Sequence, residues 1–293
     1  MKKTVAILGA TGMLGSALYA VLKDKYRLIL SVRDLSKIEL LEQKYGGASD
    51  RQLLEFDASK IYQEFLDKKG GGEYADQFFD SLRNASYIIN AIGVTIPFSL
   101  KDPAMTLFVN GGFPHILASR LGEKLIHITT DCVYGGKEGF PYNEKSEKSP
   151  ADLYGLSKSM GEPTTCLTLR TSIIGRELEG FTGLLEWFLG QRGKTIRGFT
   201  NHIWNGLTTR EFAKACNTIM SRPHAFPKNG VFHIFSTPIS KYEMLLKFRE
   251  RYGIDCEIKP DRGEMVNRTL TTVYDVNTCL NTPPFDTMLA ELN

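Results

Sequence analysis

Along the first 175 positions, short runs of β-branched and apolar residues alternate with stretches of helical period. "TVAIL" (4–8) opens the series, and Leu14, Leu18, Val21 and Leu22 then recur at the spacing of one helix face. "YRLILSV" (26–32), "QLLEFD" (52–57), "ASYIINAIG" (85–93), "EKLIHITT" (123–130) and "CLTLRTSII" (166–174) read as further strands. The helix-like "PAMTLFVNGGFPHILASRLG" precedes the fifth of these six, and "KKGGGEYADQ" (68–77) reads as a surface excursion. Unbroken apolar runs separated by helices predict an α/β fold of Rossmann type, a doubly wound parallel sheet covered on both faces.

Past residue 175 the alternation weakens. "TGLLEWFLGQ" (182–191) suggests a helix, and "GVFHIFS" (230–236) a strand. Thr208 with Glu211, and Ser240 with Glu243, have the spacing of capping boxes ahead of two further helices. This region reads as a smaller C-terminal lobe that shares elements with the first part.

Composition narrows the class without naming it. The 293 residues, 42% hydrophobic and 24% charged, suit a soluble globular protein of one large domain or a domain and a half. A net charge of +3 is too mild for a nucleic-acid partner and is compatible with a small anionic substrate. Five dispersed cysteines (Cys132, Cys166, Cys216, Cys256, Cys279) form no CxxC pair. No metal site is expected, and reduced thiols point to the cytoplasm. The start "MKKTVAILGATGML" mimics a signal peptide, but Gly9, Gly12 and Gly15 interrupt it and no cleavage site follows. No stretch has the length and apolarity of a membrane span.

"GATGMLG" sits at the first strand–helix junction and supplies Gly9, Thr11, Gly12, Met13, Leu14 and Gly15. A pyrophosphate needs a tight turn there, close backbone approach and free N–H groups at a helix start, so this is read as a dinucleotide site. At the end of the second strand, NAD would want an acid for the ribose and NADP a cation for the 2′-phosphate. The strand ends "LSVRD", with Ser31, Arg33 and the later Lys37, and Asp34 comes one residue too late. NADPH is therefore expected over NADH, against the plainer reading of Arg33 as a solvated surface residue.

"YGLSK" places Tyr154 and Lys158 four apart, on one helix face. A phenol with a reference pKa of about 10 needs a neighbouring charge to act at neutral pH, and an ammonium can supply it. "TTDCVYGG" leaves Thr130, Asp131 and Cys132 at the mouth of a buried strand.

These pieces together resemble the extended short-chain dehydrogenase/reductase superfamily, and within it the dTDP-4-dehydrorhamnose reductase group. The matching segments are "GATGMLGS", "NAIG", "LFVNGGFPHILA", "LIHITTDCVYGG", "PYNEKSEKSPADLYGLSKSMGE" and "LRTSIIG", with "GLTTREFAKA" and "GVFHIFS" beyond them. The resemblance implies that Tyr154 donates the proton, Lys158 lowers its pKa and binds the nicotinamide ribose, and Thr130 bonds the substrate's carbonyl oxygen. It also implies that Asn110 shapes the site or a proton relay, that Asp57 meets adenine, and that Ala91 and Gly93 border the cofactor. Asn110 reads equally well as a plain helix-face hydrogen-bonding residue. The implied domains are an NADP-binding part over 1–172, with 206–236 returning to it, and a substrate-binding lobe over 173–205 and 237–293.

Nucleotide-sugar dehydratases resemble the Thr130 region but carry a glutamate where this chain has Cys132, and a thiol is a poor substitute for that acid. GDP-fucose synthase also resembles the chain and pairs a cysteine with a histidine in epimerisation, which makes His202 a conceivable partner for Cys132. The plainer reading of Cys132 is a packed thiol. Ile173 and Ile174 replace the aromatic residue usual after "RTS" in the rhamnose-type reductases. Asp131, Cys132, Arg176, Trp204 and Asn205 are candidate substrate contacts, with Arg176 meeting a diphosphate, though each could equally serve packing or surface. The expected activity is NADPH-dependent reduction of a 4-keto nucleotide sugar for deoxysugar or surface-polysaccharide synthesis. A nucleotide-sugar epimerase and a non-catalytic NADP-binding regulator are the alternatives. The expected partner is a nucleotide sugar, with a homodimer left open.

Overall fold

The structure, a computed structural model, describes residues 2–68 and 72–292. The first six strands are β1 (Thr4–Leu8), β2 (Arg27–Val32), β3 (Arg51–Glu55), β4 (Tyr87–Asn90), β5 (Leu125–Thr130) and β6 (Leu167–Thr171). The later ones are β7 (Ile173–Ile174), β8 (Thr195–Phe199), β9 (His202–Trp204), β10 (Leu207–Thr208), β11 (Gly230–His233), β12 (Ile239–Ser240), β13 (Glu257–Asp261) and β14 (Val266–Asn267). Seven of them form one parallel sheet in the order β11-β6-β5-β4-β1-β2-β3. The order reverses between β1 and β4, and the carboxyl ends beside that switch point are where open α/β sheets take their ligands.

Successive side chains of a strand point to opposite faces, and here both faces are buried. Val5 and Ile7 join the apolar core that includes Leu14, Leu18, Phe212 and Cys216. Ala6 and Leu8 join the opposite core of Phe56, Phe78, Phe113 and Leu117. Alternate residues of one strand thus feed two layers, which is the doubly wound arrangement expected from the unbroken apolar runs.

Three segments differ from the sequence reading. "KKGGGEYADQ" is largely helical: helices span Ala58–Lys68 and Glu73–Leu82, while 69–71 lie outside the described residues. The glycine run masked an amphipathic helix whose Tyr74 stacks on Phe56, with ring centroids 5.8 Å apart. "CLTLRTSII" is two strands: the chain leaves the main sheet at Ser172, and β7 pairs instead with β10. The helical stretch before β5 is interrupted by a π-turn over Phe108–Gly112, which carries Asn110. Single π-turns of this kind are frequent at functional sites.

Beyond β6 the lobe is made of short strands, β12-β9-β14 and β13-β8, against the helix Lys241–Tyr252. That helix starts with a complete capping box between Ser240 and Glu243, whereas at Thr208 only the hydroxyl-to-Glu211 bond forms. β8, β9 and β12 to β14 did not stand out in the sequence. β11 pairs with β6 at the sheet edge, so this late segment completes the main sheet. No helix of the described residues is long and apolar enough to cross a membrane.

Candidate active site

The glycine turn is built for close approach. Gly9 has φ +80°, and its N–H and that of Ala10 both donate to the Ser31 carbonyl at 3.1 and 2.9 Å. A Cβ at Gly15 would lie 2.0 Å from the Gly9 carbonyl oxygen, so only glycine lets the helix Met13–Leu22 start this near β1. That helix is capped by extended Gly12 with no side-chain bond and no acid in its first turn. Thr11, Met13 and Leu14 complete the turn, with Leu14 buried.

Next to the turn, the Ser31 hydroxyl is buried without a partner among the described residues. An orphaned hydroxyl and a cradle that any Cβ would fill both suit a dinucleotide. Arg33 is exposed and makes no ion pair among the described residues. Asp34 is already spent: its carboxylate accepts from the Ser36 hydroxyl (2.7 Å) and N–H (2.9 Å), and these bonds hold it below its ordinary range. Lys37 is ion-paired with Glu179. Asp57 accepts the Ser59 N–H at 2.9 Å, and its own N–H donates to the Tyr74 hydroxyl. On β4's exit, the Ala91 N–H donates to Leu8, and a Cβ on Gly93 would meet Asn110 Oδ1 at 3.3 Å and Lys158 Nζ at 4.0 Å.

Tyr154 and Lys158 lie on the helix Leu153–Met160, whose N-cap Asp152 accepts from the Gly155 N–H at 2.7 Å. A Cβ at Gly155 would sit 2.3 Å from the Cys132 carbonyl, so the helix start rests directly on the turn after β5. This contact brings the start of the Tyr154 helix up to the exit of β5, and the Thr130 hydroxyl acts on the Tyr154 phenol. The Thr130 oxygen also accepts the Cys132 N–H (3.1 Å), and its proton goes to Asp131 Oδ1 (3.2 Å).

Burial raises the Tyr154 phenol; the charges of Cys132 and Asp131 add to the rise, and the Thr130 bond opposes it. Lys158 is not among the main influences on Tyr154. Burial pushes its ammonium down to about 8 against the pull of Glu162, and Nζ donates to the Ile128 carbonyl at 2.9 Å. Asn110 is fully used: Oδ1 accepts the Val94 N–H (2.8 Å), and Nδ2 donates to the Val94 carbonyl (2.9 Å) and Ser157 Oγ (3.1 Å). It ties the loop after β4 to the Tyr154 helix.

The lobe brings two cations that the sequence reading missed. Arg268 donates to the Tyr134 carbonyl (2.9 Å) and to the Cys132 sulfur (3.8 Å). Lys241 stands 5.6 Å from the Trp204 ring centroid, and its charge acts on Asp131 and Cys132. Burial raises the Cys132 thiol to about 12, and Asp131 adds to that more than Arg268 relieves it.

His202 is engaged elsewhere: it stacks on Phe199 and bonds the Glu264 carbonyl. Trp204 packs edge-on against Phe285 and reaches the site through Lys241. Asn205 spends its amide on Leu270, accepting the N–H at 2.9 Å and donating to the carbonyl at 2.8 Å. Arg176 is paired with Glu186 at 2.7 Å, and its charge acts on Lys44, Tyr45 and Tyr252 rather than on the Thr130 group. Only the capping box before Lys241 hinted at the lobe's contribution, because it fixes where that helix begins.

A parallel sheet with a glycine turn at its switch point, and Thr130, Tyr154 and Lys158 gathered at the strand ends, define an extended short-chain dehydrogenase/reductase. Within that class, the chain belongs to the family described as RmlD substrate binding domain, whose model matches residues 77–270. The spore coat polysaccharide biosynthesis protein SpsK of Bacillus subtilis (strain 168) is 25% identical over 280 residues, covering 93% of this chain and 88% of that protein. A dTDP-4-dehydrorhamnose reductase of Mycobacterium tuberculosis (strain CDC 1551 / Oshkosh) is 30% identical over 110 residues, 35% of this chain and 36% of that protein. The solved dTDP-4-dehydrorhamnose reductase of Bacillus anthracis str. Ames, in complex with NADP, superposes with a TM-score of 0.68 at 18% identity, over 99% of this chain and 98% of that one. At that identity the shared feature is the fold.

Proposed function

We propose that this protein reduces the 4-keto group of a nucleotide sugar with NADPH, in the synthesis of a deoxysugar or surface polysaccharide. The observation that carries this reading is the seating of the Tyr154 helix on the turn after Thr130, where a Cβ on Gly155 would lie 2.3 Å from the Cys132 carbonyl, with Lys158 anchored on the Ile128 carbonyl at 2.9 Å. When bound, NADPH supplies a hydride to the carbonyl carbon. Tyr154 gives its proton to the carbonyl oxygen, which Thr130 helps to hold. Burial raises the phenol above its ordinary value, so it holds this proton at neutral pH and needs a further charge beside it to give the proton up readily. Lys158 holds the ribose side, and Asn110 acts as a positioning residue. Ser31 and Arg33 take the 2′-phosphate end. SpsK and the dTDP-4-dehydrorhamnose reductases point the same way by name.

The epimerase alternative is weaker on physical grounds. Its base would be Cys132, whose thiol is pushed up to about 12 by burial and Asp131, while His202 is engaged with Phe199 and the Glu264 carbonyl. A non-catalytic regulator has no need of Thr130, Tyr154 and Lys158 together. The test is a panel of 4-keto nucleotide sugars with NADPH oxidation followed at constant pH. Turnover of one or more is expected, and a protein that binds NADPH but oxidises it with none of them is not this reductase.

A further inference from the structure

The segment after β7, residues 176–183, crosses the cofactor half of the molecule and is tied down at both ends. At its entry, Glu186 Oε1 accepts from Arg176 Nε (2.7 Å) and from the Glu177 N–H (2.9 Å). At its exit, the Glu177 carboxylate accepts the N–H groups of Thr182 (3.0 Å) and Gly183 (2.6 Å), which closes the segment into a loop. A Cβ on Gly183 would lie 3.9 Å from the sulfur of Met13, the first residue of the helix after the glycine turn. From the helix Lys37–Tyr45, Lys44 donates to the Glu177 carbonyl at 3.3 Å. The loop thus touches the elements that follow β1 and β2. In a Rossmann fold the first of these takes the pyrophosphate and the second the adenosine ribose.

The middle of the loop carries a charge to that second element. Glu179 forms an ion pair with Lys37 across 142 residues of chain, and the left-handed residues Gly180 (φ +87°) and Phe181 (φ +44°) follow it. Asp34 is the acid nearer to Lys37 in sequence, but its carboxylate accepts from the Ser36 hydroxyl and N–H. Lys37 opens the helix after β2, on the side where a cation meets a 2′-phosphate. A carboxylate of the loop therefore occupies a cation beside the phosphate end of the cofactor site.

We propose that Glu179 is a determinant of cofactor specificity: it holds Lys37 until the 2′-phosphate of NADPH takes that cation over, and so limits how tightly NADPH binds. This rests on the reading above, in which the 2′-phosphate lies at the end of β2. Charge favours the exchange, because a phosphate monoester carries about −1.5 to −2 at neutral pH and a carboxylate carries a single charge. Both side chains are exposed, and an ammonium on a flexible four-carbon stem can turn from one anion to the other. No covalent bond changes. NADH has no 2′-phosphate and leaves the pair as it is.

The test is fluorescence titration with NADPH and with NADH at low salt, where exposed charges are least screened. Glu179→Gln frees Lys37 and should tighten NADPH about two- to fivefold, the span of an exposed ion pair, with NADH unchanged. Lys37→Met should weaken NADPH about threefold, again with NADH unchanged, because the phosphate loses a cation. The deciding protein is the double variant. If Glu179 acts through Lys37, Glu179→Gln has no effect once Lys37 is replaced, and the double variant binds NADPH as Lys37→Met does. A gain that persists in the double variant means direct repulsion between Glu179 and the phosphate. Weaker NADPH binding by Glu179→Gln makes the loop a plain support. Either result, or no change at all, overturns the inference while the preference for NADPH stands. Equal affinities of the unmodified protein for the two cofactors would instead sink the reading of the phosphate end, and the inference with it. Thermal melts check that each variant keeps the fold.

Discussion

The two walls of the site are built on opposite terms. On the sheet side, Asn110 uses both its donors and its acceptor, Lys158 is anchored on Ile128, and Thr130 is bonded to Asp131 and Cys132. On the lobe side, Lys241 makes no ion pair or hydrogen bond among the described residues and lies over the Trp204 ring, and Arg268 is held by a backbone carbonyl and a thiol. The satisfied wall fixes geometry, as reacting groups require. The lobe's wall leaves more of its charge without an ion pair. The proposed reading therefore puts the chemistry on the layered sheet and recognition on the short-stranded lobe.

The largest expected effect breaks the satisfied wall at its reacting group. Tyr154→Phe keeps the ring and its packing but removes the proton, so turnover should drop by about two to four orders of magnitude. NADPH binding, followed by fluorescence titration, should survive. Near-normal turnover would remove Tyr154 from the reaction and erase the contrast between the walls.

Below that wall lies the network that holds it to the lobe. Arg170, buried on β6, grips Glu162 with two bonds (2.9 and 2.6 Å) and donates to the Tyr134 hydroxyl (2.6 Å). It also meets His233 at 2.7 Å, and His233 in turn bonds the Thr271 carbonyl. Glu162 follows the Tyr154 helix and Tyr134 follows Thr130, so one guanidinium ties both segments, through His233 and the Thr271 carbonyl, to the stretch of chain that carries Arg268.

Arg170→Met leaves Glu162 buried with Lys148 as its remaining cation. The loss should be about 3–5 kcal/mol, read from urea denaturation. Burial pushes the Glu162 carboxyl up, but Arg170 and Lys148 outweigh it and hold it below its ordinary value of 4.5. A depressed carboxylate contributes stability above its unfolded pKa and loses it as pH falls through the folded value. The acid limb of the stability profile below pH 4.5 should therefore flatten in the variant. An unchanged denaturation midpoint would show that the two walls are not held together here.

How much of this could be read from the chain follows the same division. The strands of the main sheet are buried on both faces, and such strands leave unbroken apolar runs that survive any register. Tyr154 and Lys158 were legible because one helix carries both at a fixed spacing, and the glycine turn because it joins consecutive elements. β8 is five residues long with Gly198 inside it, too short and interrupted for its alternation of exposed and buried positions to stand out. The contact of Arg268 with Cys132 spans 136 residues of chain, and that of Asn205 with Leu270 spans 65. No local pattern encodes such pairs. Asn205 and Arg176 drew attention by residue type, but their polar atoms are engaged by Leu270 and Glu186.

A milder change sharpens the comparison at the cofactor's far end. Arg33 is exposed and makes no ion pair among the described residues, so it should act on a ligand rather than on the fold. NADPH should bind at least about tenfold tighter than NADH, a difference of about 1.4 kcal/mol. Arg33→Ala should remove most of that difference by weakening NADPH alone, with the thermal midpoint unmoved. Equal affinities for the two cofactors in the unmodified protein would assign the 2′-phosphate end to other residues.

The smallest effect is expected at Cys132, where the two walls touch. Its thiol donates to Asp131 and accepts from Arg268, and burial with Asp131 keeps it protonated up to about pH 12. A base that removes a proton from a carbon beside a ketone must be ionised at the working pH, and burial beside Asp131 disfavours the thiolate here. Cys132→Ala should therefore leave reduction within about threefold of normal, in keeping with the loss of one weak sulfur contact. The measurement that decides is solvent deuterium in the reduced sugar. Label at the carbons flanking the former ketone, lost in Cys132→Ala, would mean that the thiol exchanges protons with substrate and that the lobe's cations serve to ionise it. Product without label at those carbons leaves Cys132 as packing between the walls, with Arg268 resting on it.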